Sequence, residues 1–246
     1  MVRKAMNKVI LIIPAYNEGQ NIERVVTNII ENYPQYDYVI VNDGSTDGTY
    51  EICRQRGYNV LNLSVNLGIG GAVQAGYLYA KRNHYDIAVQ IDGDGQHDVA
   101  YVKDVIEPIM RGQADVVVGS RFVKKEGFQT SSGRRMGITI LSILIKILTG
   151  KRIHDVTSGF RAANQRFIDV YSEDYPRDYP EPEALVIAMV YGGTVREVPV
   201  IMRERQAGTS SINLKRSIYY MIKVSIAIFI RRLSYGVRRE KGGNKK

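Results

Sequence analysis

Cysteine, histidine and bilayer-length apolar runs are the scarcities that bound this 246-residue chain. With Cys53 alone, no internal disulfide can form, and a reducing compartment is expected. Residues 1–7 lack the apolar stretch of a secreted precursor, so a cytoplasmic location is expected. Three histidines, none with a second His or Cys at ligand spacing, leave no zinc site around His97. No internal repeat is present, and low complexity is confined to the terminal Gly-Gly-Asn-Lys-Lys. Acidic residues are outnumbered 25 to 34, a net charge of +9 that is unevenly spread. In residues 231–246 seven basic side chains stand against Glu240 alone, a net +6, which leaves the body only mildly basic. Such a tail suits anionic lipid or nucleic acid, or is simply solvated. Without an aromatic stacking platform or a recognised motif, nucleic acid is not an expected partner.

What is present is an alternation. The apolar run Lys8–Ile13 predicts a strand, and Pro14 to Gly19 a loop. Ile22, Val25, Val26, Ile29 and Ile30 then predict a helix. The order recurs with a strand over Tyr38–Val41, a loop from Asn42 to Asp47 and a helix over Thr49–Arg56. A short strand near Val60 leads through Asn66–Gly71 into a helix ending near Arg82, and strands follow over Ile87–Ile91 and Asp115–Val118. Strands alternating with helices imply an α/β chain with a mostly parallel sheet covered on both faces. Ligands collect at the carboxyl ends of such strands, so the loops after Ile13, Val41 and Ile91 are expected to face one crevice.

Beyond Ser120 the pattern changes. Gly127–Gly133 reads as a loop, and Met136–Leu148 is apolar on nearly every side. Thirteen residues of helix span roughly 20 Å, short of a hydrocarbon core of about 30 Å, so this is either a core helix or one lying on a membrane. Ser217–Ile230 is equally apolar and is bracketed by Lys215-Arg216 and Arg231-Arg232. It suits the lipid interface, or else closes the core or an oligomer contact.

The densest signal is Asp92-Gly-Asp94-Gly-Gln96-His97-Asp98 at the end of a buried strand. Carboxylates so crowded repel one another unless a cation sits between them, and a hard divalent ion with oxygen ligands is the usual answer. Such an ion suits a nucleoside diphosphate. Asp98 reads as a helix cap or as support behind the other two.

Pro-Ala-Tyr-Asn-Glu from Pro14, Asn-Asp-Gly-Ser-Thr-Asp from Asn42 and Asp-Gly-Asp-Gly-Gln-His-Asp from Asp92, in this order, resemble the inverting family 2 glycosyltransferases of the GT-A fold. The likeness covers Lys8 to about Ser211. It implies a Rossmann-like GT-A domain over residues 1–212, with a nucleotide-sugar half (1–121) and an acceptor half (122–212), followed by a membrane-associating amphipathic tail (213–246). Pro14, Tyr16, Glu18 and Asp43 would form the nucleoside site, Asp43 accepting a base N–H and Tyr16 giving a wall. Pro14 could otherwise simply end a strand, and Glu18 with Asp47 support helix N-termini. By the same resemblance Asp92 lies near the ribose and the metal, Asp94 binds Mg²⁺ or Mn²⁺, and Gln96 completes the ligand set.

Gly119-Ser120-Arg121, Arg134-Arg135, the run His154–Arg161 and the run Arg203–Ser210 resemble the polyprenyl-phosphate subgroup, the dolichyl-phosphate mannose synthases included. Arg121, Arg134 and Arg135 would receive the acceptor phosphate, and Arg205 the donor diphosphate. Arg134 and Arg135 could otherwise be surface arginines near a membrane. Ser211 stands where the mannose synthases tend to carry lysine, which turns the expectation from GDP-mannose towards UDP-glucose or UDP-N-acetylglucosamine. A phosphate acceptor is already anionic and needs no strong base. A family 2 enzyme extending a polysaccharide would need one, with Glu183 or Asp155 the candidates, while the run Glu181-Pro182-Glu183 ahead of the apolar helix is otherwise read as facing the sugar. The expected setting is peripheral, at the cytoplasmic membrane face, held by the tail, by a small membrane-anchoring protein or by a homo-oligomer.

Overall fold

A computed structural model describes residues 7–124, 132–178, 180–203 and 221–233. The first half follows the alternation: β1 (Val9–Ala15), α1 (Ile22–Asn32), β2 (Asp37–Asn42), α2 (Thr49–Gln55), β3 (Val60–Asn62), α3 (Gly68–Arg82), β4 (Ile87–Gln90), α4 (Val102–Met110) and β5 (Val116–Ser120). Then come α5 (Ser132–Thr149), β6 (Arg161–Asn164), α6 (Gln165–Glu173), α7 (Pro180–Val190), β7 (Val195–Pro199) and a helical stretch over 221–233.

All strands join one sheet in the order β3-β2-β1-β4-β6-β5-β7. β1 is buried along its whole length and pairs in parallel with β2 and β4, as a continuous apolar run predicts. Its alternate residues serve opposite cores: Ile10 and Ile12 pack with α3, α5, α6 and α7, and Leu11 and Ile13 with α1, α2 and α4. Parallel pairing brings Pro14 opposite Val41 and Ile12 opposite Gln90, so the chain leaves β1, β2 and β4 at the same edge.

β6 is the exception, antiparallel to both β4 and β5. The chain re-enters the sheet from the edge where the site lies, which sets Arg161 opposite Gln90 and Val118. Arg-Ala-Ala-Asn offers no apolar alternation, so the strand escapes sequence reading. Close packing sets the other wall of the site. A Cβ at Gly70 in the first turn of α3 would collide with the carbonyls of Pro176 and Arg177, and Gly70 N–H donates to the latter at 3.2 Å.

The two apolar helices left open by the sequence each divide their surface. α5 buries Ile138, Leu141 and Ile145 and exposes Met136, Ile140, Ile143 and Ile147. The 221–233 helix buries Val224 and Ile228 and exposes Ile222, Ile226, Phe229, Ile230 and Leu233. The spacing of each exposed set is that of one helix face. The helices lie side by side, Met221 beside Gly137, with Arg232 Nε donating to the Leu148 carbonyl at 2.9 Å. Among the described residues no helix is long and apolar enough to cross a membrane.

Candidate functional site

A cleft of about 440 Å³ opens at the carboxyl edge of β1, β2 and β4. Pro14, Tyr16, Glu18, Asp43, Asp92 and Asp94 line it, so the structure brings these six sequence candidates together. A fourth loop joins the three expected ones: Asn66, Gly68, Ile69 and Ala72 from the start of α3 form another wall. Asp43 Oδ1 accepts the Leu67 N–H at 2.7 Å, which ties the loop after β2 to α3. Sequence reading took Asn66–Gly71 as a helix entry only. The signal it held was a glycine-rich turn following a strand.

The first two loops are sewn together. Asn17 N–H donates to Ser45 Oγ at 3.0 Å, and Asn17 Oδ1 accepts the Thr46 N–H at 2.8 Å. Asp47 accepts from Gly19 N–H at 2.9 Å and from Thr49 N–H at 3.1 Å. Burial would lift the Asp47 carboxyl, but the bonds from Thr49 and Gly19 outweigh it and hold it below its ordinary range. Asp47 is thus the support that sequence reading allowed for. Glu18 does two things: its carboxylate accepts from Asn21 Nδ2 at 2.8 Å beside α1, and it lines the cleft.

The acidic turn is held from behind. Gly95 lies at φ +80° beside the Arg24 guanidinium, and Arg24 Nη2 donates to the Asp94 carbonyl at 3.2 Å. Asp94 Oδ1 accepts the Gln96 N–H at 2.9 Å. His97 is buried, stacked on Phe160 with ring centroids 5.0 Å apart, and its Nδ1 accepts the Asp92 N–H at 3.0 Å. That bond places the imidazole proton on Nε2, 3.4 Å from Asp92 Oδ2. Asp98 caps the short 3-10 turn over Val99–Tyr101 and also pairs with Arg203.

Burial pushes the His97 pKa down to about 4. Its protonated form is therefore disfavoured in the fold. The stability it contributes is complete above its unfolded pKa near 6.5 and is lost as pH falls from there towards 4. About 2 kcal/mol should disappear between pH 7 and pH 5. Urea unfolding at the two pH values, compared with His97→Asn, checks this: the variant should lose that share of the pH dependence.

Gln96 stands apart from the cleft wall, its amide Nε2 3.4 Å from the Arg203 carbonyl. Among the described residues no three His, Cys, Asp or Glu side chains converge as a ready metal cage. Asp92 and Asp94 in a glycine-rich turn are hard oxygen donors, and they fit an ion that keeps most of its shell from phosphate oxygens and water, as Mg²⁺ and Mn²⁺ do.

Arg121 leaves β5 with its guanidinium gripped by Asp155: Nε to Oδ2 at 2.8 Å, Nη2 to Oδ1 at 2.7 Å, and Nη2 to Thr157 Oγ1 at 3.2 Å. Burial pulls against the charge, but Asp155 outweighs it and lifts the guanidinium above its ordinary pKa. Asp155 is fully buried, and its own N–H donates to Glu197 at 2.9 Å. Arg121 and Arg135 flank the Phe122 ring at 5.3 and 5.1 Å, so the structure brings these two candidates together at the start of α5. Arg134, one residue earlier on α5, is exposed. Arg205 lies outside the described residues.

Glu181, in the first turn of α7, completes the cleft opposite the acidic turn. Behind it the buried Arg161 donates to the carbonyls of Ser158 at 2.7 Å, Val156 at 3.0 Å and Glu181 itself. Burial raises the Glu181 carboxyl above its ordinary pKa, Arg161 opposes that, and Asp92 adds to it. Glu183 takes no part in the cleft: Arg231 Nε donates to it at 3.1 Å and also bridges to Asp174 at 2.8 Å.

The chain is similar to polyprenol monophosphomannose synthase of Mycolicibacterium smegmatis, 28% identical over 228 residues, 89% of this chain and 86% of that one. It is similar also to the UDP-N-acetylglucosamine–dolichyl-phosphate N-acetylglucosaminyltransferase of Methanococcus voltae, 34% identical over 210 residues, 77% of this chain and 83% of that one. Among solved structures, glucosyl-3-phosphoglycerate synthase of Mycobacterium tuberculosis with Mn²⁺, UDP and glucosyl-3-phosphoglycerate shares the fold. Its TM-score is 0.70 at 22% identity, over 93% of this chain and 81% of that one. Residues 10–171, which hold the cleft loops, the acidic turn and the Arg121–Asp155 pair, match the family described as Glycosyl transferase family 2, and the chain belongs to that family.

Proposed function

We propose that this glycosyltransferase moves one sugar from a nucleoside diphosphate, UDP-glucose or UDP-N-acetylglucosamine, to a polyprenyl phosphate, undecaprenyl or dolichyl, with inversion in a single displacement. One observation carries the reading. Arg121 and Arg135, each close to the Phe122 ring, stand at the head of α5, whose exposed apolar stripe begins at Met136. Phosphate-binding cations directly beside an apolar face are what an acceptor with a charged head and a hydrocarbon chain requires. The names of the two polyprenol-type relatives support the same acceptor class, and the second supports a UDP-sugar donor.

In this reading Asp43 accepts a base N–H, Tyr16 walls the base, and Pro14 and Glu18 complete the nucleoside site. Asp94 and Asp92 hold Mg²⁺ or Mn²⁺, which supplies positive charge against that growing on the departing diphosphate. Arg121 and Arg135 orient the acceptor phosphate, Arg134 adds charge at the rim, and Arg205 meets the donor diphosphate. The acceptor oxygen is anionic at neutral pH, so no base is required. This agrees with the engagement of Asp155 and Glu183, the bases a hydroxyl acceptor would call on, by Arg121 and Arg231. Labelled donor incubated with polyprenyl phosphate should yield product that partitions into organic solvent. Label carried onto oligosaccharide acceptors and never onto lipid would overturn the reading.

The exposed faces of α5 and residues 221–233 are read as the seat on the cytoplasmic leaflet, with Arg231 and Arg232 near the headgroups. Vesicle flotation tests this: Ile226→Asp with Phe229→Asp should lower partitioning onto anionic vesicles at least about tenfold, since each lost apolar contact is worth on the order of 1–2 kcal/mol. Undiminished flotation would mean that another surface carries the contact.

A further inference from the structure

Five carboxylates line the cleft, from Glu18, Asp43, Asp92, Asp94 and Glu181, and no lysine, arginine or histidine does so among the described residues. Four of the five belong to the loops after β1, β2 and β4. Glu181 alone comes from α7, just after the segment whose Pro176 and Arg177 carbonyls press against Gly70 of α3. No other residue's side chain hydrogen-bonds to its carboxylate among the described residues. The Arg161 guanidinium behind it gives hydrogen bonds to the carbonyls of Ser158, Val156 and Glu181, while its charge still acts on the Glu181 carboxylate. A half-buried acid, close enough to Asp92 to feel its charge, thus has its hydrogen-bonding capacity left for the cleft it lines.

We propose that Glu181 reads the transferred sugar, accepting hydrogen bonds from its hydroxyls, and that it restricts the donor to sugars carrying no carboxylate of their own. This rests on the cleft being the nucleotide-sugar site. With the base on the Tyr16 and Asp43 side and the diphosphate at the acidic turn, the group beyond the diphosphate meets the wall that Glu181 occupies. A neutral hexose or N-acetylhexosamine offers that acid donors. A uronic acid, the same ring with a carboxylate in place of the hydroxymethyl group, brings a second anion against Glu181 in a cleft lined by five carboxylates, with Arg161 set behind the wall and turned to backbone carbonyls. Two like charges about 5 Å apart at an effective dielectric near 20 disfavour binding by roughly a hundredfold or more.

The test is calorimetric binding and kcat/KM for the better of UDP-glucose and UDP-N-acetylglucosamine against its own uronate counterpart, in the full-length protein and in Glu181→Gln. The wild type should prefer the neutral donor at least about a hundredfold, and E181Q, which keeps the shape and an acceptor oxygen but no charge, should narrow that ratio about tenfold or more. Glu181→Ala should raise KM for the neutral donor beyond the E181Q value. A wild-type ratio within about threefold, or a ratio that E181Q leaves unmoved, overturns the assignment while the proposed transfer stands. Binding of neither donor removes both.

Discussion

Alanine in place of Asp94 should lower kcat for sugar transfer by roughly a thousandfold, the loss typical when the charge facing a departing anion is removed from a preorganised site. Asp94 is 7% exposed and lines the cleft, and its Oδ1 also holds the Gln96 N–H at 2.9 Å. The alanine variant therefore removes both a charge and a brace of the turn. Asp94→Asn separates the two, because an amide oxygen can still accept the Gln96 N–H while bringing no negative charge to a metal. Single-turnover transfer with saturating Mn²⁺ should find both variants similarly impaired. An Asn variant close to the wild-type rate would show that the turn geometry matters and the charge does not, and the assignment of Asp94 to the metal would fail.

The second large effect concerns stability. Asp155→Ala should cost about 3 kcal/mol, because it leaves the largely buried Arg121 guanidinium, its side chain 14% exposed, without its counter-charge. The partner is not replaceable by water. Asp155 is wholly inaccessible, and it accepts from Arg121 through the backbone N–H at 3.0 Å as well as through the side chain. Urea unfolding measures the loss. The double variant Arg121→Met with Asp155→Leu should recover most of the stability, since an apolar pair of similar volume needs no desolvated charge, while transfer to polyprenyl phosphate stays lost. A single Asp155→Ala variant as stable as the wild type would mean that Arg121 finds another anion or reaches solvent.

Much of the cleft was legible in the sequence. β1, β2 and β4 are short apolar runs ended by glycine and acidic clusters, and parallel pairing alone carries their ends to one edge. Pro14, Tyr16, Glu18, Asp43, Asp92 and Asp94 could therefore be grouped from local pattern. The fourth loop was missed because Asn66–Gly71 holds no acidic residue to mark it, and its part in the cleft comes through a backbone N–H, that of Leu67 on Asp43. Glu181 and Glu183, two residues apart in sequence, could not be told apart by any pattern. One faces the cleft, and the other is drawn to Arg231 on a helix 48 residues away.

The sequence by itself determined the alternating α/β architecture, the acidic turn and the likeness to a family, because each rests on contacts between near neighbours or on the period of a strand. Only the tertiary structure decided that β6 runs backwards, that Arg121 is clasped by Asp155, that α5 and residues 221–233 each keep one apolar face exposed, and that Glu181 lines the cleft. Those four depend on which distant surfaces meet. That choice is made by burying the most apolar area while leaving few buried charges unpaired, a sum over the whole chain that no local stretch of it contains.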